Sequence, residues 1–206
     1  MDIQRKTQHL QAVKDALSPV RFLLCVDLEA TCDELPEGAD SWAKLLVEPD
    51  QMETIEVGLV VLDLHTLEVV DEFQRFVRPT INPILTTFCT TLTSIEQHEV
   101  DAAGTYAQVS QDLAAFTSRY PSAAWASWGE YDAKQLARDA VFGKCPAMLD
   151  GLTHHNAKRW HWKILDCRAM GLKPAVESMG LTWQGTYHRG IDDARNLAQV
   201  IKALLG

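Results

Sequence analysis

Three strand-like runs early in the chain, followed by alternation between a strand and amphipathic helices, predict a mixed α/β protein built as one sheet with helices packed on it. The runs are Phe22–Thr31, Thr54–Leu62 and Val69–Val77. A third observation is bulk: 206 residues with 47% hydrophobic content and no Pro/Gly/Ser-rich linker give material for one core.

The elements follow in order. Leu10, Val13 and Leu17 recur at helical spacing, and Pro19 closes that helix before the first strand. The run from Phe22 has the continuous apolar character of a buried central strand. Thr54–Leu62 and Val69–Val77 are joined around Asp63-Leu-His-Thr66, a hairpin-like connection. Tyr106, Val109, Leu113 and Phe116 mark a helix. Ser122–Trp128 is a fourth strand leading to Asp132 on the next helix, and Trp162–Leu165 is expected to be a fifth strand. Ile191, Ala194, Leu197, Ala198 and Ile201 place a last helix from near Gly190 or Asp192. Periodicity leaves the strand order open, and no internal repeat is present.

Chemistry enters with the first strand. Strand side chains alternate faces, so Asp27 and Glu29 point one way while Val26 and Leu28 point the other. Two carboxylates side by side at the end of a buried strand repel each other and lose hydration, at a cost of several kcal/mol for an unpaired buried charge. A divalent cation removes that cost, and hard cations such as Mg²⁺ prefer oxygen ligands. Taken alone, the pair equally suits a strand emerging into solvent. The segment His188-Arg-Gly-Ile-Asp192-Asp193 adds to it. Asp193 falls in the first turn of the last helix, where a carboxylate also serves ordinary capping. Asp192 is expected near the cap and exposed, with Asp193 facing the core. His188, in the loop before, suits proton transfer near neutral pH.

These residues give the chain its resemblance to a known family, the DEDDh 3′-to-5′ exonucleases. It is most similar to their exoribonuclease branch of enhanced-RNAi-type and histone-mRNA-trimming enzymes. The resemblance runs from about Phe22 to Leu204. Its motifs are Val-Asp27-Leu-Glu29-Ala-Thr31-Cys32, then Ala126-Ser-Trp128-Gly-Glu-Tyr-Asp132, then His188-Arg-Gly-Ile-Asp-Asp193. Phe76-Val-Arg78-Pro79 and Phe88-Cys89-Thr-Thr-Leu92-Thr93-Ser94-Ile95 are similar to the segments between. One departure is Ser94, where many relatives carry glycine in the turn that meets the terminal nucleotide. Another is the acid-rich stretch from Asp33 to Glu53, with Lys44 its one basic residue and longer than a minimal strand connection.

The resemblance implies a ribonuclease-H-like mixed five-stranded sheet flanked by helices, in a single exonuclease domain over 1–206 with residues 1–20 as an N-terminal helical extension. It implies two divalent cations, Mg²⁺ or Mn²⁺, about 3.5–4 Å apart. Asp27, Glu29 and Asp193 would hold one, with Asp27 bridging to a second supported by Asp132. His188 would deprotonate the attacking water, Ala30 and Thr31 would touch the terminal sugar, and Ile95 would press on the base. The expected partner is nucleic acid, chiefly the 3′ ends of single-stranded RNA or short overhangs, with nucleoside 5′-monophosphates as products. DNA is the alternative substrate, since a donor or acceptor for the 2′-hydroxyl cannot be placed from sequence. A non-catalytic nucleic-acid-binding protein on the same fold is a further alternative, favoured by loss of a ligand; none is missing. Two-metal nucleases of the transposase or hybrid-cleaving kind do not need a histidine at His188, which argues against them.

Net charge of −9 opposes binding to phosphates. Its distribution weakens the objection, since residues 134–195 hold ten Lys/Arg against six Asp/Glu, interleaved with Trp160, Trp162 and Trp183. Tryptophans in the core with an ordinary solvated surface are the bland alternative. No segment approaches the ~20 apolar residues of a membrane span, and no signal-peptide-like stretch begins the chain. Five cysteines without a Cys-x-x-Cys pair predict free thiols in a reducing cytoplasm.

Overall fold

The computed structural model describes residues 3–40 and 42–206. Met1 and Asp2, in the expected N-terminal extension, and Ser41, in the acid-rich stretch, lie outside the described residues. The apolar runs form β1 (Phe22–Ala30), β2 (Thr54–Asp63) and β3 (Glu68–Arg78), to which the chain adds β4 (Gly104–Thr105), β5 (Ala123–Ser127) and β6 (His154–Asn156). The sheet has six strands in the order β4-β3-β2-β1-β5-β6. β1 lies inside it, antiparallel to β2 and parallel to β5. β2 and β3 form the expected antiparallel hairpin.

Eight helices surround this sheet among the described residues: α1 (Ile3–Leu17), α2 (Thr87–Thr93), α3 (Gln97–Asp101), α4 (Tyr106–Thr117), α5 (Tyr131–Gly143), α6 (Ala157–Leu165), α7 (Leu172–Ser178) and α8 (Gly190–Leu205). Strand alternation sorts the core into two layers. Leu23 and Cys25 of β1 pack with Val60 and Leu62 under Leu197, Ala198 and Ile201 of α8, with Val13 and Leu17 of α1 joining them. Leu24, Val26 and Leu28 face the other way, against Val57, Leu59, Tyr106, Val109 and Leu113. Asp27 and Glu29 continue the first face, so their carboxylates come out beside the start of α8.

Two expectations about strands need correction. Trp162–Leu165 belongs to α6, not to a strand. Asn156 caps that helix by accepting from the Arg159 N–H at 2.9 Å, and Ala157, His161 and Ile164 are buried at helical spacing. Four residues, Trp-Lys-Ile-Leu, are too few to carry a period that separates helix from strand, and the cap decided it. The sheet also has six strands where five were expected. β4 is only two residues long, and β6 is His-His-Asn, which pairs with Trp125–Ser127 and has no apolar alternation to betray it.

Close contact between β2 and α8 sets the site's geometry. A Cβ on Gly58 would stand 2.1 Å from the carbonyl carbon of Gly190, so only glycine lets the α8 N-terminus approach β2 this closely.

Candidate metal and catalytic site

Three elements and one loop converge. β1 supplies Asp27 and Glu29, the first turn of α5 supplies Asp132, the first turn of α8 supplies Asp193, and the loop before α8 supplies His188. Glu29, Asp132 and Asp193 are 7%, 5% and 5% exposed. Asp132 Oδ1 accepts from the Leu28 N–H at 3.2 Å, which ties α5 to β1 between the two strand acids. Ligating atoms of Glu29, His188 and Asp193 lie within 4.8 Å of one another. His188 Nδ1 stands 4.0 Å from Glu29 Oε1.

Crowding of like charges away from water sets the acidities. Burial first, then Asp132, Asp193, Glu29 and Glu56, hold Asp27 well above the usual carboxylate range. Burial and Asp193 lift Glu29 to about 9, and burial lifts Asp132 to about 6 and Asp193 to about 7. Burial lowers His188 from its ordinary value, keeping the imidazole neutral and able to accept a proton. Asp193 Oδ1 is buried without a hydrogen-bond partner. An oxygen-only cluster that must retain protons, with one orphaned oxygen, fits hard divalent cations such as Mg²⁺ or Mn²⁺.

A stability profile follows. These carboxyls keep protons in the folded protein that the unfolded chain has already lost, so without metal their contribution to stability is fullest below the ordinary carboxylate range. It weakens as pH climbs through the folded values of about 6, 7 and 9 for Asp132, Asp193 and Glu29. The melting temperature in chelator is therefore expected to fall from pH 5 to pH 9. Added Mn²⁺ should restore it, most strongly at the alkaline end, where the ligands are ionised. Scanning fluorimetry at fixed ionic strength reads both trends; a flat profile with no response to metal would contradict the site.

The remaining sequence-derived positions fare differently. Asp192 is not left free: its carboxylate accepts from the Thr186 N–H at 2.8 Å and pairs with Arg195 at 2.8 Å, so its side chain is only 17% exposed. Ala30 and Thr31 lie beside the acids but are buried. Thr31 Oγ1 accepts from the Glu53 N–H, and the Ala30 carbonyl accepts from Cys89 Sγ. Ile95, expected to press on a base, stands at the foot of the turn after α2. Its side chain is wholly buried among Ile55, Leu85, Cys89 and Val100, so it shapes the turn from beneath. Ser94 caps α2 with φ of 58°, the left-handed region that glycine occupies most cheaply, so glycine would suit the position. Trp160 and Trp183 pack partly buried against the core, whereas Trp162 is 38% exposed.

Sequence reasoning missed Glu56. This β2 residue is fully buried, accepts from the Gly190 N–H at 3.0 Å, and adds its charge to the fields felt by Asp27, Glu29 and Asp193. An acid inside the apolar run Ile55-Glu56-Val57-Gly58-Leu59 carries the same signal that marked Asp27.

Comparisons with known proteins place the chain in a family and a fold. A family profile described as Exonuclease, of RNase T type, matches residues 24–201. The 3′-5′ exonuclease eri1 of Schizosaccharomyces pombe is 29% identical over 98% of this chain and 73% of its own length. The 3′-5′ exoribonuclease 1 of Homo sapiens is 30% identical over 89% of this chain, which spans about half, 52%, of that relative. The solved nuclease domain of 3′hExo, described as a DEDDh family member bound to rAMP, superposes with a TM-score of 0.76 at 28% identity, covering 90% of this chain and 92% of that one.

Proposed function

The chain belongs to the exonuclease family of RNase T type, in its DEDDh class, and from that membership we propose that it removes nucleotides one at a time from the 3′ end of single-stranded RNA or short 3′ overhangs. The observation that carries the reading is the convergence of Asp27, Glu29, Asp132 and Asp193 with a neutral His188 beside them. Binding of rAMP by a relative of the same class supports a ribonucleotide product.

Asp27, Glu29 and Asp193 would hold one divalent cation, and Asp27 with Asp132 a second, either Mg²⁺ or Mn²⁺. Bound there, the ions neutralise the phosphodiester's charge and acidify an attacking water. His188 accepts the proton of that water as its oxygen bonds to phosphorus. The phosphorus–O3′ bond breaks, the leaving oxygen takes up a proton as the 3′-hydroxyl of the shortened strand, and a nucleoside 5′-monophosphate departs. The backbone around Ala30 and Thr31 lies beside Glu29, where a terminal sugar would sit.

Domain organisation and location form part of the same proposal. Residues 1–206 are read as one exonuclease domain with an N-terminal helical extension, supported by Val13 and Leu17 of α1 in the same core as α8. No helix of the described residues is long and apolar enough to cross a membrane. Cys25, Cys32, Cys89, Cys145 and Cys167 are free, which favours a reducing cytoplasm.

The test is a time course on 5′-labelled RNA and DNA oligonucleotides with Mg²⁺, Mn²⁺ or chelator. A ladder shortening from the 3′ end of RNA, abolished by chelator, is expected. Faster cleavage of DNA would reassign the substrate, and no metal-dependent cleavage of either would overturn the proposal.

A further inference from the structure

His188 sits in a backbone conformation it would not choose. Its φ is 61°, in the left-handed region that is unfavourable for a side chain carrying a Cβ. Such a residue persists only where its surroundings over-determine it. The two residues that follow supply the surroundings. Gly190 N–H donates to Glu56 Oε2 at 3.0 Å, and Arg189 Nε lies 3.5 Å from the same oxygen. Glu56 itself is held on two sides: it is fully buried near the start of β2, and its other oxygen accepts from Gln74 Nε2 at 2.6 Å.

Arg189 extends the connection across the cleft. Nη1 donates to the Ser94 carbonyl at 3.3 Å, Nη2 stands 3.8 Å from Glu99 Oε1, and the guanidinium lies over the Phe76 ring, 5.2 Å from its centroid. One side chain thus joins the histidine loop to β2, to β3 and to the α2–α3 turn. Its own side chain is 20% exposed, and all these partners lie on elements other than its own. A surface arginine with no duty would be spared such constraint, since holding a long side chain in one geometry costs conformational entropy.

We infer that Glu56 and Arg189 are the positioning pair for His188: the buried carboxylate fixes the turn's backbone and the guanidinium locks the turn against its neighbours, so the imidazole is held toward Glu29 and Asp193. Neither touches the reacting atoms: Arg189 acts through His188, and Glu56 acts through the same turn as well as through the charge it adds beside Asp27, Glu29 and Asp193. The Tyr187 ring, 3.9 Å from the imidazole between centroids, covers the face that the pair leaves open. Removal of the guanidinium frees the turn to relax toward ordinary backbone angles, and the imidazole swings away while the metal carboxylates, anchored on β1, α5 and α8, stay in place.

This inference rests on the exonuclease reading for its kinetic arm, and a second arm is independent of it. Arg189→Gln and Glu56→Gln are measured singly, together, and in a His188→Ala background, on 5′-labelled single-stranded RNA with Mn²⁺. Arg189→Gln is expected to lower kcat about tenfold or more, with KM and calorimetric Mn²⁺ affinity within about twofold of wild type. The Glu56→Gln/Arg189→Gln double variant should lose little beyond the worse single one. In the His188→Ala background, Arg189→Gln should cause almost no further loss. Wild-type kcat in Arg189→Gln, or a full additional loss in that background, would overturn the inference. In the second arm, the His188 ring resonances are followed by NMR in metal-free protein. They should shift and broaden in Arg189→Gln; unchanged resonances would overturn the pair even if no substrate were ever found. Shifted resonances in a protein that cleaves nothing would sink the exonuclease reading and leave the pair standing.

Discussion

Asp27→Asn is expected to lower metal-dependent turnover by about a thousandfold or more while making the metal-free protein harder to melt. The two effects have one source. Asp27 is the acid most surrounded by others, with Asp132, Asp193, Glu29 and Glu56 all raising its affinity for a proton. Its charge is a burden to the empty fold and the reason a cation binds. Replacing it with an amide removes a shared ligand, and charge neutralisation at a phosphoryl centre is worth several kcal/mol of barrier, each 1.4 kcal/mol being about tenfold in rate. The same replacement removes repulsion among buried carboxylates, so in chelator at pH 8 the melting temperature should rise by a few degrees. Steady-state kinetics and scanning fluorimetry read the two arms. Near-normal turnover would remove Asp27 from the site; a lower melting point with lost activity would point to general misfolding.

His188→Asn is the second large effect, and its value lies in what it should leave intact. Asparagine tolerates the left-handed backbone better than most residues, so the change suits a φ of 61° and keeps a polar side chain of smaller reach. It has no group that accepts a proton near neutral pH. Loss of a positioned general base slows a reaction about 10²- to 10⁴-fold, and kcat is expected to fall within that range. Mn²⁺ affinity by calorimetry should stay within about threefold of wild type, less than second-shell losses usually reach. A large loss of affinity would make His188 a ligand, which its place within 4.8 Å of Glu29 and Asp193 atoms would then explain.

Three of the four acids stand out in the sequence because they break a local pattern for which burial has an electrostatic cost, whereas Asp132 is marked only by the family motif. Asp27 and Glu29 interrupt an apolar strand on one face, and Asp193 falls on the core side of a helix whose apolar period is unmistakable. Glu56 broke the same rule and was passed over, because a lone acid has no second residue to fix its face. The error at Trp162–Leu165 has a different origin. The cap at Asn156 is a one-residue signal six positions upstream, whereas Trp-Lys-Ile-Leu taken alone fits either period. β6 could not have been read at all, since His154–Asn156 owes its extended form to pairing with β5. Ile95 takes its expected role from the family motif alone, and the burial of its side chain in the core is a tertiary fact that no local pattern signals.

The ties that assemble the pocket span long stretches of chain, 104 residues between Leu28 and Asp132 and 134 between Glu56 and Gly190. Contacts of that separation form late in folding, because the loops they close must lose their freedom first. A nascent chain that has emerged as far as α5 carries the first two acidic motifs and no pocket, and its catalytic loop has yet to be synthesised. Hydrolytic competence should thus appear in one step with the docking of α8.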